Sequence, residues 1–122
     1  MKVTLTRPEG LWRFTGYGKG YVEIEGQRPP PPFLLWKNEI LAWEVENPEG
    51  LGPDEARFLS SFRPDIVLLG TGGHFSPLAA LAQKVFFSAG VGVEAMSTAA
   101  LCRTYNFLAA EDRLVLAAVL RL

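Results

Sequence analysis

The stretch IVLLGTGG, Ile66 to Gly73, continued by His74, Phe75, Ser76 and Pro77, decides the fold class. Its continuous apolar run predicts a strand buried on both faces. The run breaks at a glycine cluster, and Pro77 then opens a helix at a position where its missing N–H costs nothing. Strand, glycine turn and helix in succession define an α/β unit. They also bring backbone N–H groups together at Gly70, Thr71, Gly72 and Gly73, where an anion or polar ligand is expected to sit.

Working outward, Leu78, Leu81, Ala82, Val85, Phe86 and Ala89 follow helical spacing, and Gly90 supplies the C-terminal cap. Val91–Met96 reads as the next strand. Ser97 or Thr98 caps a third helix running to about Ala110, and Leu114–Leu120 is a last apolar strand. Upstream, Pro53-Asp54-Glu55 starts a helix with Phe58, Leu59 and Phe62 on one face, ended by Pro64. The first half has strand periodicity instead: Val22 and Ile24 alternate with Glu23 and Glu25, and Phe33–Trp36 and Ile40–Val45 flank a short turn. Gly16, Gly18 and Gly20 around Tyr17 and Tyr21 predict a hairpin or bulge. The run Pro29–Pro32 cannot join a ladder and is expected to be a stiff connector. One β-rich half and one βαβαβ-like half, with no linker between them, make a single domain over residues 1–122.

Composition narrows the function classes. Of 122 residues 48% are hydrophobic and 20% charged, ordinary for a globular chain with one core. The net charge is −1 and neither half is strongly biased, so no basic stripe marks nucleic acid as a partner. The single cysteine, Cys102, excludes an internal disulfide framework and a multi-cysteine metal site, and fits a reducing compartment. The polar N-terminus lacks the apolar segment of a signal peptide, and the apolar runs are too short to span a bilayer. The expectation is a cytoplasmic protein without membrane insertion.

Two motifs carry chemistry. Gly70, Gly72 and Gly73 invite comparison with a dinucleotide-binding fingerprint, and Glu94 lies about where a ribose-binding carboxylate would stand. Phe75, however, occupies the place of the third glycine and would hold helix and strand apart, so no nucleotide cofactor is assigned. Ser97, Thr98, Arg103, Tyr105 and Asn106 form the second motif: a capped helix start followed by a guanidinium, a phenol and an amide. Spacing of three puts Arg103 and Asn106 on one face. Parallel strands ending at Gly70 and Met96 would bring both motifs to one sheet edge. The bland alternative pairs Arg103 with Glu111 or Asp112 and leaves Tyr105 to packing. His74, the lone histidine, has neither the orienting carboxylate of a nucleophile–base pair nor companions for a metal, and reads as a loop residue touching a ligand. Cys102 reads as a small buried hydrophobe. Trp12, Trp36 and Trp43 fall in the strand-rich half as core residues, an exposed one being an interface candidate.

Gly70-Thr71-Gly72, Thr98, Arg103-Thr104-Tyr105-Asn106 and Glu111-Asp112-Arg113, with the Gly-Tyr-Gly segment, Trp36 and Pro64-Asp65, resemble a family of small uncharacterised domains. That family includes mitochondrial complex I assembly factor 3 and the adipogenesis-associated domain-containing protein. The resemblance implies a three-layer α/β fold with a mixed central sheet and no established enzymatic activity. In the mitochondrial member it implies a role in assembling a respiratory complex. The chain departs from the family's pattern at Ser97, often Asp, and at Asp112, often Gly; the first removes a carboxylate from the expected cleft.

The reading is therefore a non-catalytic binding or accessory protein of the assembly-factor type. Its polar, anion-friendly cleft is formed by Gly70, Thr71, Gly72, Gly73, His74, Ser97, Thr98, Arg103, Tyr105 and Asn106. No catalytic residue, metal site or cofactor is assigned. The partner classes left open are a small polar or anionic ligand, a protein partner and a second copy. The alternative is an enzyme acting on a small phosphorylated or nucleotide-like substrate, with His74, Tyr105 and Glu94 as proton carriers. Arg103→Ala and Gly72→Val are expected to weaken binding with the fold intact.

Overall fold

A computed structural model describes residues 3–73 and 77–121. Among the described residues, eight strands and three α-helices follow one another as β1 (Val3–Thr6), β2 (Phe14–Gly18), β3 (Tyr21–Ile24), β4 (Phe33–Trp36), β5 (Glu39–Ala42), α1 (Pro53–Ser60), β6 (Ile66–Gly70), α2 (Pro77–Ser88), β7 (Val93–Met96), α3 (Thr98–Ala110) and β8 (Val115–Val119). A 3₁₀ turn, Pro48–Gly50, precedes α1. His74, Phe75 and Ser76 lie outside the described residues, as do the side chains of Leu78 and Leu81.

Six strands form one mixed sheet in the order β1-β5-β4-β8-β6-β7. The first four pair antiparallel, while β6 runs parallel to both β8 and β7. The second half is thus the βαβαβ unit expected from its pattern, and β8 joins it to the antiparallel half. Strands β2 and β3 form a separate antiparallel hairpin.

Alternation along the central strands creates two cores, one on each sheet face. Leu34, Trp36, Val67, Leu69, Leu116, Ala118 and Leu120 face Ala56 and Leu59 of α1 and Ala82 and Phe86 of α2. Phe33, Leu35, Leu68, Val115, Ala117 and Val119 face Leu101, Cys102 and Tyr105 of α3 together with Phe14, Val22 and Ile24 of the hairpin. The architecture is a three-layer α/β fold: α1 and α2, the mixed sheet, then α3 beside the hairpin. Both faces of β4, β6 and β8 are covered, which is why their sequences are unbroken apolar runs. All three tryptophans are buried, so none offers an interface.

The chain leaves β6 toward α2 on one face and leaves β7 toward α3 on the other. Adjacent parallel strands whose connections diverge in this way open a crevice at their carboxyl ends, where ligands of α/β folds bind. The residues that follow Gly70 and Met96 sit at that crevice.

Candidate functional site

The crevice is built by close approach and then stitched shut. Gly70 ends β6 in register with Met96 of β7. A Cβ on Gly70 would stand 3.0 Å from Thr98 Oγ1 and 3.2 Å from Leu101 Cδ1, so glycine here lets the start of α3 rest on the strand. The Thr71 amide donates to the Met96 carbonyl at 2.9 Å, and its hydroxyl donates to the same oxygen at 3.1 Å. Gly72 takes a left-handed conformation (φ +89°). Its amide donates to the buried Thr98 hydroxyl at 2.9 Å, and the Thr98 amide returns a bond to the Gly72 carbonyl at 2.9 Å. The Ser97 side chain caps α3 by accepting from the Ala100 amide.

Gly70, Thr71, Gly72, Ser97 and Thr98 therefore do meet, at the sheet edge where the parallel strands end at Gly70 and Met96. The amides of Thr71 and Gly72, however, are already committed to internal acceptors. A Gly72→Val exchange would also place a branched side chain at positive φ, so it strains the turn and does not isolate binding from folding. Gly73 differs: it is exposed, at an ordinary backbone angle, and a Cβ there meets nothing within 4 Å among the described residues.

Farther along α3 the predicted residues turn toward the hairpin. Asn106 pairs with the backbone of Phe14 as a neighbouring strand would: its Oδ1 accepts from the Phe14 amide at 3.0 Å and its Nδ2 donates to the Phe14 carbonyl at 2.7 Å. Tyr105 is buried edge-on against Phe14, ring centroids 5.4 Å apart. Burial, with the charge of Glu25 adding to it, pushes its phenol up to about 12. Burial likewise pushes the Cys102 thiol up to about 12, against the lowering influence of Arg103, and fits the reading of a packed hydrophobe. Arg103 and Asn106 do share a helix face, but that face meets β2.

Arg103 pairs with neither Glu111 nor Asp112. Its Nη1 donates to the Tyr17 hydroxyl at 2.6 Å, and its guanidinium carbon lies 5.8 Å from the Tyr17 ring centroid. The tip of the hairpin thereby leans over the crevice. A groove of about 380 Å³ remains between residues 17–21 of the hairpin and the turn formed by Gly72, Gly73, Thr98 and Ala99. Tyr21 folds its ring over Gly18, where a Cβ would come within 2.5 Å of it, and Arg28 stacks 4.0 Å above that ring. A larger depression of about 640 Å³, near Arg57, Arg63, Asp65 and Gly92, lies at the opposite, amino ends of β6 and β7. Glu94 stands apart from the groove, opposite Leu68 and beside Gln83 and Phe87.

The groove walls Tyr17, Lys19 and Tyr21 escape a reading of the sequence because they come from the hairpin, about fifty residues upstream of the glycine cluster. Their one local signal is the Gly-Tyr-Gly alternation, which marks a hairpin but not what it covers. Among the described residues no cluster of three or more His, Cys, Asp or Glu is placed to hold a metal, and no helix is long and apolar enough to cross a membrane.

A three-layer mixed-sheet domain with a stitched switch-point crevice and a hairpin over it defines the class. Residues 14–120 match the family described as "Protein of unknown function (DUF498/DUF598)", and the chain belongs to that family. It is similar to NADH dehydrogenase [ubiquinone] 1 alpha subcomplex assembly factor 3 of Xenopus tropicalis, 29% identical over 98% of this chain and 68% of that protein. It spans about half the length of the human and Drosophila melanogaster proteins of that name, 54% and 47% respectively. Its fold matches a crystal structure from Bordetella parapertussis, with a TM-score of 0.77 and 32% identity over 94% of this chain and 99% of that one. It also matches an NMR structure from Xanthomonas campestris, with a TM-score of 0.79 and 27% identity over 99% and 92%. The assembly-factor family resembled by the glycine and Arg-Thr-Tyr-Asn motifs is thus found among the relatives.

Proposed function

We propose that this chain is a non-catalytic accessory protein that works by binding a partner protein at the groove between the hairpin tip and the β6–α3 crevice. One observation carries the reading: the crevice is stitched by internal hydrogen bonds, while the Tyr17 and Lys19 wall and the open Gly73 are left facing outward. Assembly-factor relatives support a protein as the partner. Of the proton carriers in the enzyme alternative, Tyr105 is packed and held protonated and Glu94 stands apart from the groove, while His74 lies outside the described residues. A polar or anionic small molecule at the Thr71 and Gly72 amides would compete with bonds already made. The expected setting remains the cytoplasm.

Gly73→Leu tests the proposal. The side chain enters open space, so the midpoint of thermal unfolding is expected to stay within the range of ordinary surface changes, about 0.5 kcal/mol. The groove would be filled. Capture from cells of the source, followed by identification, should recover a partner with the wild-type chain and lose it with Gly73→Leu. A partner retained by both removes the groove from the function. A nucleotide or phosphate that stabilises the wild type in a thermal-shift screen, with no protein partner found, would favour the enzyme alternative.

A further inference from the structure

The groove borders the outer surface of α3, where Arg103 and Lys19 stand with the rings of Tyr17 and Phe107, and Glu111 lies a further helical turn beyond Phe107. Of the eight arginines, Arg7, Arg28, Arg57, Arg113 and Arg121 each make an ion pair with a carboxylate. Arg103, like Arg13 and Arg63, makes none among the described residues. Its partner is the Tyr17 phenol, which fixes the guanidinium in place and leaves its charge uncompensated. Lys19, in the same groove, is likewise without a carboxylate partner among the described residues. One helical turn beyond Arg103, on the same face, Phe107 is 66% exposed, and Tyr17 is 45% exposed. A large apolar side chain so exposed beside a positioned, unneutralised cation is the composition of an interface anchor.

We infer that the strip Phe107–Arg103–Tyr17–Lys19 docks an acidic segment of a partner protein, one in which carboxylates stand beside an apolar side chain. The inference rests on the accessory reading and adds the partner's chemistry. Charge complementarity sets the carboxylates, since the strip offers two cations and no anion to meet them. Phe107 sets the apolar neighbour, because a free phosphate or nucleotide phosphate has no use for a phenylalanine a helical turn from the guanidinium. A second copy presenting the same strip is disfavoured, because a two-fold contact would face like charge with like.

The test uses the whole chain and three short fluorescent peptides of identical apolar residues, carrying Glu, Gln or Lys at the remaining positions. Fluorescence anisotropy should show the Glu peptide binding best, with its affinity falling as salt is raised. Arg103→Glu should weaken the Glu peptide about tenfold or more and turn the preference toward the Lys peptide. Phe107→Ala should weaken the Glu peptide several-fold without changing the order. Phe107 is exposed and the Arg103 guanidinium bonds to an exposed phenol at the hairpin tip, so both variants are expected to stay folded with little change in stability. Equal binding of the three peptides, or Glu-peptide binding indifferent to Arg103→Glu, overturns the inference. So does displacement of the peptide by inorganic phosphate with no dependence on Phe107. Should the peptides show no preference while Gly73→Leu still abolishes partner capture, the accessory reading stands and only the acidic partner falls.

Discussion

Asn106 substitutes for a neighbouring strand from within a helix. Its amide satisfies both backbone groups of Phe14 at the point where a bulge interrupts the hairpin ladder, between Phe14 and Gly16. Removing it leaves a donor and an acceptor half-buried and unpaired. Each bond is worth about 1 kcal/mol net, and more where the freed group cannot reach water. Asn106→Ala is therefore expected to lower the unfolding free energy by about 2 kcal/mol, read from urea titration at unchanged slope. Loss of less than a few tenths would mean that water replaces the amide and that the hairpin is held by its apolar residues alone. The spacing of Arg103 and Asn106 was enough to place them on one face. What that face meets was not legible, because a helix pattern says which residues point together and nothing about a hairpin ninety residues upstream.

At the scale of elements, the glycine cluster carries two different demands that the letters alone do not distinguish. Gly70 is required by packing, because a Cβ there would lie within 3.2 Å of both Thr98 Oγ1 and Leu101 Cδ1, whereas Gly73 faces open space. Gly70→Ala should push α3 off β6 by a few tenths of an ångström and cost about 1–3 kcal/mol, as overpacking does. Gly73→Ala should cost almost nothing, and chemical denaturation of the pair compares the two directly. Equal stabilities would show that the start of α3 yields freely. In the phosphate-binding fingerprint that this cluster invites comparison with, one glycine also serves helix–strand packing. That role is present at Gly70, but the turn's amides at Thr71 and Gly72 are bonded to the neighbouring strand and helix. Elements themselves were well marked, since Pro53, Gly90 (φ +81°) and the Ser97 cap act locally. Strand ends were less so: β5 runs from Glu39 to Ala42, displaced from the Ile40–Val45 expected, because antiparallel pairing with β4 sets its limits.

On the scale of the molecule, the second core, beneath α3 and the hairpin, buries two groups that can acquire charge, and this predicts how stability responds to alkali. Cys102 and Tyr105 both titrate near 12 in the folded protein, raised from 9.0 and 10.0 by burial. Each acid is harder to ionise when folded, so the folded state holds protons that the unfolded chain has released. Their contribution is complete below about pH 9 and declines as pH rises from there through about 12. The slope cannot exceed about 1.4 kcal/mol per pH unit for each group. Unfolding free energies measured by urea titration from about pH 8 to about pH 11 should therefore be level at first and then fall. Tyr105→Phe keeps the ring against Phe14 and removes the phenol's share of the decline. Adding Cys102→Ala should flatten most of the remainder, at the cost of a lower starting stability from the small cavity it leaves. An equally steep fall in the doubly substituted chain would show that Cys102 and Tyr105 do not set the alkaline loss.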